Sequence, residues 1–88
     1  MDDENVMEEG KILLDENEKR YYVSSLVDFE GKHYAVCMDF DNPKQNEIFE
    51  YRHNENGELE TRIETNVNDK RIILAYALRK ISEEEEGN

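Results

Sequence analysis

Apolar and polar residues alternate along most of this chain, and short polar segments interrupt the alternation. These segments are rich in Asp, Asn, Glu and Gly and lie at residues 15–18, 30–31, 41–45, 54–57 and 65–66. The four stretches between them, together with residues 11–14 before the first, make five stretches rich in Tyr, Phe, Val, Ile and Leu, a composition typical of antiparallel strands. After Thr65 the apolar spacing becomes helical, with one stripe at Ile73, Leu74, Ala77, Leu78 and Ile81. The pattern predicts an α+β fold, an antiparallel meander of about five short strands with one C-terminal helix packed on the sheet.

The second and third stretches form a hairpin if Glu30 and Gly31 make a two-residue turn. Pairing outward from that turn assigns the residues of both strands to two faces. One face carries Tyr21, Val23, Ser25, Val27 and Phe29 beside Tyr34, Val36, Met38 and Phe40. The other carries Tyr22, Ser24, Leu26 and Asp28 beside His33, Ala35, Cys37 and Asp39. The first face is therefore expected to hold the core, and the second is mixed.

The fourth and fifth stretches allow two registers around Asn56 and Gly57. A two-residue turn would put the aromatic residues Phe49 and Tyr51 beside charged ones. A three-residue loop over residues 55–57, with Gly57 at positive φ, avoids this conflict. It aligns Phe49, Tyr51 and His53 with Leu59, Thr61 and Ile63, and it is the register we expect.

The helix is expected to run from about Val67 to about Ser82, with Asn66 as its N-cap. Asp69 in the first turn, and Arg79 with Lys80 in the last, suit the helix dipole. Residues 83–86 are all Glu and would oppose the dipole, so the helix is expected to fray there. Leu78 is predicted to lie at the centre of the contact between helix and sheet.

Charge is concentrated at the two ends of the chain. With 36% apolar and 39% charged residues, the 88 residues have room for one modest core, and the net charge is −12. Residues 1–10 carry five acidic residues and no basic one, and residues 83–86 add four more. We expect disordered acidic tails at 1–10 and 83–88 around a single domain at 11–82. The negative field disfavours direct nucleic acid binding and anionic membranes, so no membrane contact is expected.

The sequence is also typical of a cytoplasmic protein. Its longest apolar stretch, Ile72 to Leu78, is far shorter than the roughly 20 residues that cross a bilayer. The N-terminal residues MDDENVMEEG are acidic, whereas a secretory signal begins with cationic residues. Cys37 has no second cysteine with which to form an internal disulfide.

The candidate chemistry is weak, and no catalytic, cofactor-binding or metal-binding residue is predicted. Cys37 and His33 fall on one face of one strand, roughly 13 Å apart at about 3.3 Å per residue, too far for a nucleophile and its base. His53 is expected to be a surface residue. Residues 39–50 have acids at three positions of a calcium loop, but Pro43 and Lys44 stand where a ligand and a glycine are needed.

The mixed face needs a cover that the single helix cannot provide. Three covers are possible: the first strand folding over it, curling of the sheet, and a partner chain; we expect curling. If a protein partner binds there, we expect the surface to include Tyr22, Leu26 and Ala35. The chain itself is expected to be a monomer or a weak homodimer.

Several of these stretches resemble a known family. The matching segments are Ile12 to Asp15, Leu26 to Val36, Glu47 to Arg52, Leu59 to Ile63 and the terminal helix. Together they resemble the YrzB-like family of small acidic proteins, which come mainly from low-GC Gram-positive bacteria and carry a domain of unknown function. The most specific piece is the hairpin from Phe29 to Val36. Asn66, Val67 and Asn68 depart from the acidic run that often stands there, and the resemblance implies a fold without catalytic residues.

Two functional hypotheses follow. The first is a non-enzymatic cytoplasmic accessory or protein-interaction domain with an unidentified protein partner. The second is an acidic mimic of nucleic acid that inhibits a DNA- or RNA-handling protein. A mimic needs carboxylates at phosphate-like spacing on rigid structure, whereas most of the excess charge here lies at the ends.

Overall fold

A computed structural model of the protein describes residues 5–86, with side chains through residue 83. Its elements are β1 (Ile12–Leu14), β2 (Arg20–Phe29), β3 (Lys32–Asp39), β4 (Asn46–His53), β5 (Leu59–Ile63) and α1 (Val67–Glu86). The five strands form one antiparallel sheet in the order β1-β2-β3-β4-β5, and the sheet curls into a half-barrel. The predicted α+β meander with one C-terminal helix is confirmed.

Both hairpin turns have the predicted lengths. Phe29 pairs with Lys32 across a turn in which Glu30 has φ 52° and Gly31 has φ 78°, as a type I′ turn requires. In the second hairpin His53 pairs with Leu59, and Gly57 adopts φ 79°. Glycine suits these positive angles because it has no Cβ to clash with the backbone.

A β-bulge at Ser24 makes the predicted register of the first hairpin wrong over half its length. Ser25 pairs with Val36 as expected, but Val23 pairs with Cys37, so β2 has one extra residue. The Ser24 hydroxyl donates a hydrogen bond to the Val36 carbonyl at 2.9 Å. Because side chains alternate between faces, this single residue moves Tyr21 and Val23 to the face of Ala35.

The bulge and the curl together cover the inner, concave face of the sheet. One buried cluster draws residues from all five strands: Tyr21, Val23, Ala35, Cys37 and Phe49, with Leu13, Leu26, Tyr51 and Leu59 packed against them. Residues from β1 and β5 can reach the same cluster only if the sheet bends. The preferred explanation of how this face is covered, curling, is therefore confirmed.

The outer face carries α1, which packs on the ends of β2 and β3 next to their turn. Ile73 and Ala77 are buried there against Val27, Tyr34, Val36 and Ile48. The Asn66 side chain accepts a hydrogen bond from the Asp69 N–H at 3.0 Å, so the predicted N-cap is confirmed. Among the described residues, no helix is long and apolar enough to span a membrane.

Leu78 does not lie at the helix-to-sheet contact, so that prediction is wrong. It is 67% exposed, whereas Ile73 is 0% exposed. In this rotation of α1 the Tyr76 ring lies 6.1 Å from the Phe29 ring, and Lys80 Nζ donates to the Leu26 carbonyl at 3.2 Å. Part of the predicted apolar stripe, Leu78 above all, therefore faces away from the sheet.

The ends of the domain also differ from the expected boundaries at residues 11 and 82. Met7 is buried in the inner cluster, and the Gly10 N–H donates to the Val23 carbonyl at 2.8 Å. Residues 5–10 therefore belong to the fold and are not a separate tail. α1 continues through residues 83–86, where fraying was expected. The remaining parts of the expected tails, residues 1–4 and 87–88, lie outside the described residues.

Candidate interaction surface

The three residues expected to form a partner surface do not lie together. Tyr22 is 40% exposed and lies on the outer face, because the bulge reverses its orientation relative to Leu26. Leu26 is half-buried on the inner face, and Ala35 beside it is 0% exposed. Of the three, only Tyr22 offers substantial surface to another molecule.

Exposed apolar side chains instead gather on the outer face, at the end of the sheet away from the β2–β3 turn. We call Ile12, Leu14, Tyr22, Met38 and Phe40 the outer patch. Three of them form a row across three strands, since Ile12 pairs with Tyr22 and Tyr22 with Met38. Ile12 is 42% exposed and Met38 is half-buried. Directly opposed residues of neighbouring strands lie close together, so the row forms one continuous surface.

A second row, at the rim of the sheet, extends the outer patch. Leu14, which pairs with Arg20, is 68% exposed. The Arg20 guanidinium lies 4.8 Å from the centre of the Phe40 ring, a cation–π geometry. Phe40 is 46% exposed and its N–H donates to the Arg20 carbonyl at 3.0 Å. The outer patch is therefore apolar with one positive charge at its edge.

Asp39, next to Phe40, anchors this rim to the sheet. Its carboxylate is buried, lies 2.8 Å from Lys19 Nζ, and accepts hydrogen bonds from the N–H groups of Asp41 and Asn42 at 2.9 and 3.3 Å. The hydrogen bond from Lys19 holds the pKa of Asp39 below its ordinary value. Asp39 is the first position of the calcium loop weighed above, and here it serves as the fixed start of the loop that follows β3.

The outer face of β4 and β5 is charged instead of apolar. Arg52 Nε lies 3.2 Å from Glu60 of the neighbouring strand, and Lys32 Nζ lies 3.8 Å from Glu50. Glu50 also pairs with Arg62 in the register. Opposite charges that alternate across strands are stable in water without any cover. This region therefore has the character of a solvated surface.

The side chains with possible chemistry lie apart from the outer patch. Cys37 is 0% exposed, and burial raises the pKa of its thiol to about 12. His33 Nδ1 lies 2.6 Å from Asp28 Oδ1 on the exposed edge of the first hairpin. His53 Nε2 lies 2.6 Å from the Asn5 carbonyl, so it ties down the N-terminal segment. Each of these three side chains therefore contacts another group of the protein itself.

Reasoning from the sequence missed four members of the outer patch because of two local features. The first strand was too short for its alternation to assign Ile12 and Leu14 to a face. The bulge then moved Tyr22 onto the same face as Met38 and Phe40. The adjacent small residues Ser24 and Ser25, within an otherwise aromatic and β-branched strand, were the signal that could have indicated the bulge.

Comparison with known proteins adds no further residues to this surface. No protein-family model, no curated protein and no solved structure matches the chain.

Proposed function

We propose that the protein is a non-enzymatic protein-interaction domain that binds its partner through the outer patch. The observation that carries the proposal is the row of Ile12, Tyr22 and Met38, left uncovered while α1 covers the other apolar region of the same face. Small monomeric proteins seldom leave large contiguous apolar surface in water unless it serves to bind another molecule. Aromatic residues with an adjacent arginine are also typical of the central contacts of protein interfaces.

The stacking of Arg20 on Phe40 supports the same function. A guanidinium held over a ring loses less conformational freedom on binding than a free side chain does, and so costs less to order in a complex. Asp39 fixes the backbone beneath Phe40 through Lys19. The outer patch is thus arranged before any partner arrives.

The alternative of a nucleic-acid mimic receives no support from the outer face of the described fold. The charged region on β4 and β5 alternates in sign, as in the Arg52–Glu60 pair, instead of presenting a row of carboxylates. The outer patch itself has Arg20 at its edge. A basic groove that accepts phosphates would be repelled by that arginine.

The proposal can be tested by site-specific photocrosslinking in living cells. A photoreactive phenylalanine analogue would replace Tyr22 in the full chain, and in a matched variant it would replace Arg52 on the charged part of the same face. We expect a discrete crosslinked protein adduct from position 22 and none from position 52.

The adduct should also disappear when Phe40→Ser is added to the position-22 variant, because the neighbouring ring contributes to the same contact. Equal adducts at positions 22 and 52, or none at position 22, would show that the outer patch is not an interface. Crosslinking to nucleic-acid-handling proteins only through position 52 would favour the mimic.

A further inference from the structure

The half-barrel has an opening between its two edge strands, β1 and β5. A cleft of about 520 Å³ lies there, with Leu14 on one side, Thr61 and Ile63 on the other, and Phe49 between them. Leu14 is 68% and Ile63 is 45% exposed. Phe49 and Ile63 lie on the inner face of the sheet, so the cleft presents apolar side chains among polar ones and reaches that face.

The hydrogen bonds of β5 show which backbone groups face the opening. The Glu64 N–H donates to Ile48 at 2.8 Å, and the Asn54 N–H donates to Glu58 at 2.9 Å. In an antiparallel pair these bonds place the even-numbered residues of β5 toward β4 and the odd-numbered ones away from it. Thr61 and Ile63 therefore direct their N–H and C=O groups outward, and within residues 5–86 no strand pairs with them.

The protein's own N-terminal segment already uses the other end of this edge. The Leu59 N–H also points outward, and it donates to the Asn5 side-chain oxygen at 3.2 Å. His53 Nε2 holds the Asn5 carbonyl at 2.6 Å. The segment then turns inward at Met7, so it satisfies Leu59 and leaves Thr61 and Ile63 available. The β5 edge is thus one on which an extended segment can be held.

Charge favours a particular type of segment. Asp15 and Glu16 line the cleft together with the single cation Arg62, so the surroundings are net negative. The whole chain carries −12, which disfavours a second copy of itself as the occupant. A basic residue on the incoming segment would lie near Glu16 when its apolar residues contact Ile63.

We propose that the β5 edge binds an extended segment of a partner protein as a sixth strand. The segment has apolar side chains at alternate positions, which enter the cleft beside Ile63 and Phe49, and a basic residue at the end near Glu16. Its backbone completes the ladder at Thr61 and Ile63, as in other cases of strand addition. Apart from Leu14, this site is separate from the outer patch, and it does not depend on the function proposed for that patch.

The probe is a fluorescent eight-residue peptide in which valine and threonine alternate and the final two residues are lysine. A second peptide has the same sequence with N-methyl groups on the amides that would face β5. A third has glutamate in place of lysine. Binding to the full chain is measured by fluorescence anisotropy, and protection is measured by amide hydrogen exchange.

The matched protein variants are Thr61→Pro and Thr61→Val. Proline removes the outward N–H, which takes no part in the β4–β5 ladder, while valine keeps that N–H with a similar side chain. We expect saturable binding of the lysine peptide to the wild-type chain and to Thr61→Val. With Thr61→Pro or the N-methylated peptide, binding should weaken at least about tenfold, since each removes ladder hydrogen bonds. The amides of Thr61 and Ile63 should gain protection.

Several results would overturn this site. They are no saturable binding of the lysine peptide, equal binding of the N-methylated peptide, stronger binding of the glutamate peptide, and protection at the outer patch instead of β5. Dimerisation through β5 in place of peptide binding would also overturn it. If Thr61→Pro fails to fold, the two peptides still decide the question on the wild-type chain. The double variant Tyr22→Ser, Phe40→Ser should leave peptide binding unchanged, which separates this site from the function proposed for the outer patch.

Discussion

The outer face of the sheet has two apolar regions, of which α1 covers one and leaves the other exposed. Around Val36 and Ile48 the side chains are at most 4% exposed, because Ile73 and Ala77 of α1 lie over them. In the outer patch, on the same face, Tyr22 and Phe40 are 40% and 46% exposed. The residue types are similar in the two regions, so the difference follows from the position and rotation of the helix.

This comparison separates residues that hold the fold together from residues that can serve binding. Burial of an aliphatic side chain contributes about 1.5–3 kcal/mol to folding, and an exposed side chain contributes little of this. The covered region should therefore respond strongly to truncation and the outer patch weakly. A larger loss of stability from truncation in the outer patch than in the covered region would mean that α1 lies elsewhere on the sheet.

The largest effect on stability is expected from Ile73→Ala. Ile73 is 0% exposed at the centre of the covered region, so its truncation should cost about 2–5 kcal/mol of unfolding free energy. The matched variant Leu78→Ala, on the same helix but 67% exposed, should change the free energy by less than about 0.5 kcal/mol. Chemical denaturation measures both. Similar losses in the two variants would contradict the observed rotation of α1.

The cover of the inner face is tested by Met7→Ala. Met7 is 9% exposed and packs in the cluster with Val23 and Phe49, so its truncation should cost about 2 kcal/mol. Glu8→Ala, its exposed neighbour, is the control and should be near neutral. An unchanged denaturation midpoint for Met7→Ala would mean that residues 5–10 contribute nothing to the folded core.

A gain in stability of about 1 kcal/mol is expected from Ser25→Ala. The Ser25 hydroxyl is buried, with no hydrogen-bond partner among the described residues, and an unsatisfied buried polar group is destabilising. The matched variant Ser24→Ala should lose a similar amount, because the Ser24 hydroxyl bonds to Val36 at 2.9 Å. Opposite signs for two adjacent serines, seen as opposite shifts in melting temperature, would confirm the bulge geometry.

A smaller effect, which changes only at acidic pH, is expected from Asp39→Asn. The pKa of Asp39 in the folded protein lies below its ordinary value of 3.8, chiefly because Lys19 donates a hydrogen bond to it. Its contribution to stability is therefore fully present above that ordinary value and is lost as the pH falls through the lower folded value. The difference in melting temperature between wild type and Asp39→Asn should shrink below about pH 4. A difference that stays constant down to pH 2 would contradict the ion pair.

The smallest effect on stability per substitution is expected in the outer patch. The double variant Tyr22→Ser, Phe40→Ser removes two rings that are already 40% and 46% exposed, so each change should shift the unfolding free energy by only about 0.5 kcal/mol. With the photoreactive analogue at position 22, Phe40→Ser alone should nevertheless abolish the crosslinked adduct expected from this region. Arg52→Ser on the charged part of the face is the control for both measurements. A loss comparable to that of Ile73→Ala would make the outer patch a structural element.

The sequence predicted those features of the fold that depend on local chemistry. The turn at Glu30 and Gly31, the loop ending in Gly57 and the N-cap at Asn66 each follow from the preferences of a few adjacent residues. The order of the strands followed from these turns, because a short turn joins neighbouring strands. These features are confirmed.

Features that depend on how residues far apart in the sequence pack together could not be predicted. The bulge adds one residue to β2 without changing its alternation visibly, yet it exchanges the faces of Tyr21 and Tyr22. The observed rotation of α1 brings Tyr76 to Phe29 and Lys80 to Leu26, contacts between residues that lie far apart in the sequence. The outer patch depends on the bulge, for which the adjacent Ser24 and Ser25 were the only signal in the sequence, and the hydrophobic alternation alone could not locate it. The resemblance to the YrzB-like family and the expected cytoplasmic location stay predictions.

The order of the strands has a consequence for how the chain folds. Every strand pairs with its neighbours in sequence, so the sheet is built from contacts of short range, which favour rapid folding. By contrast, the Asn5–Leu59 and Lys80–Leu26 hydrogen bonds each join residues 54 positions apart. We expect the β2–β3 and β3–β4 hairpins to form first and the two ends of the chain to dock last. Pulsed hydrogen exchange during refolding should then protect Ala35 before Leu59, and a chain leaving the ribosome would close its half-barrel only once β5 had emerged.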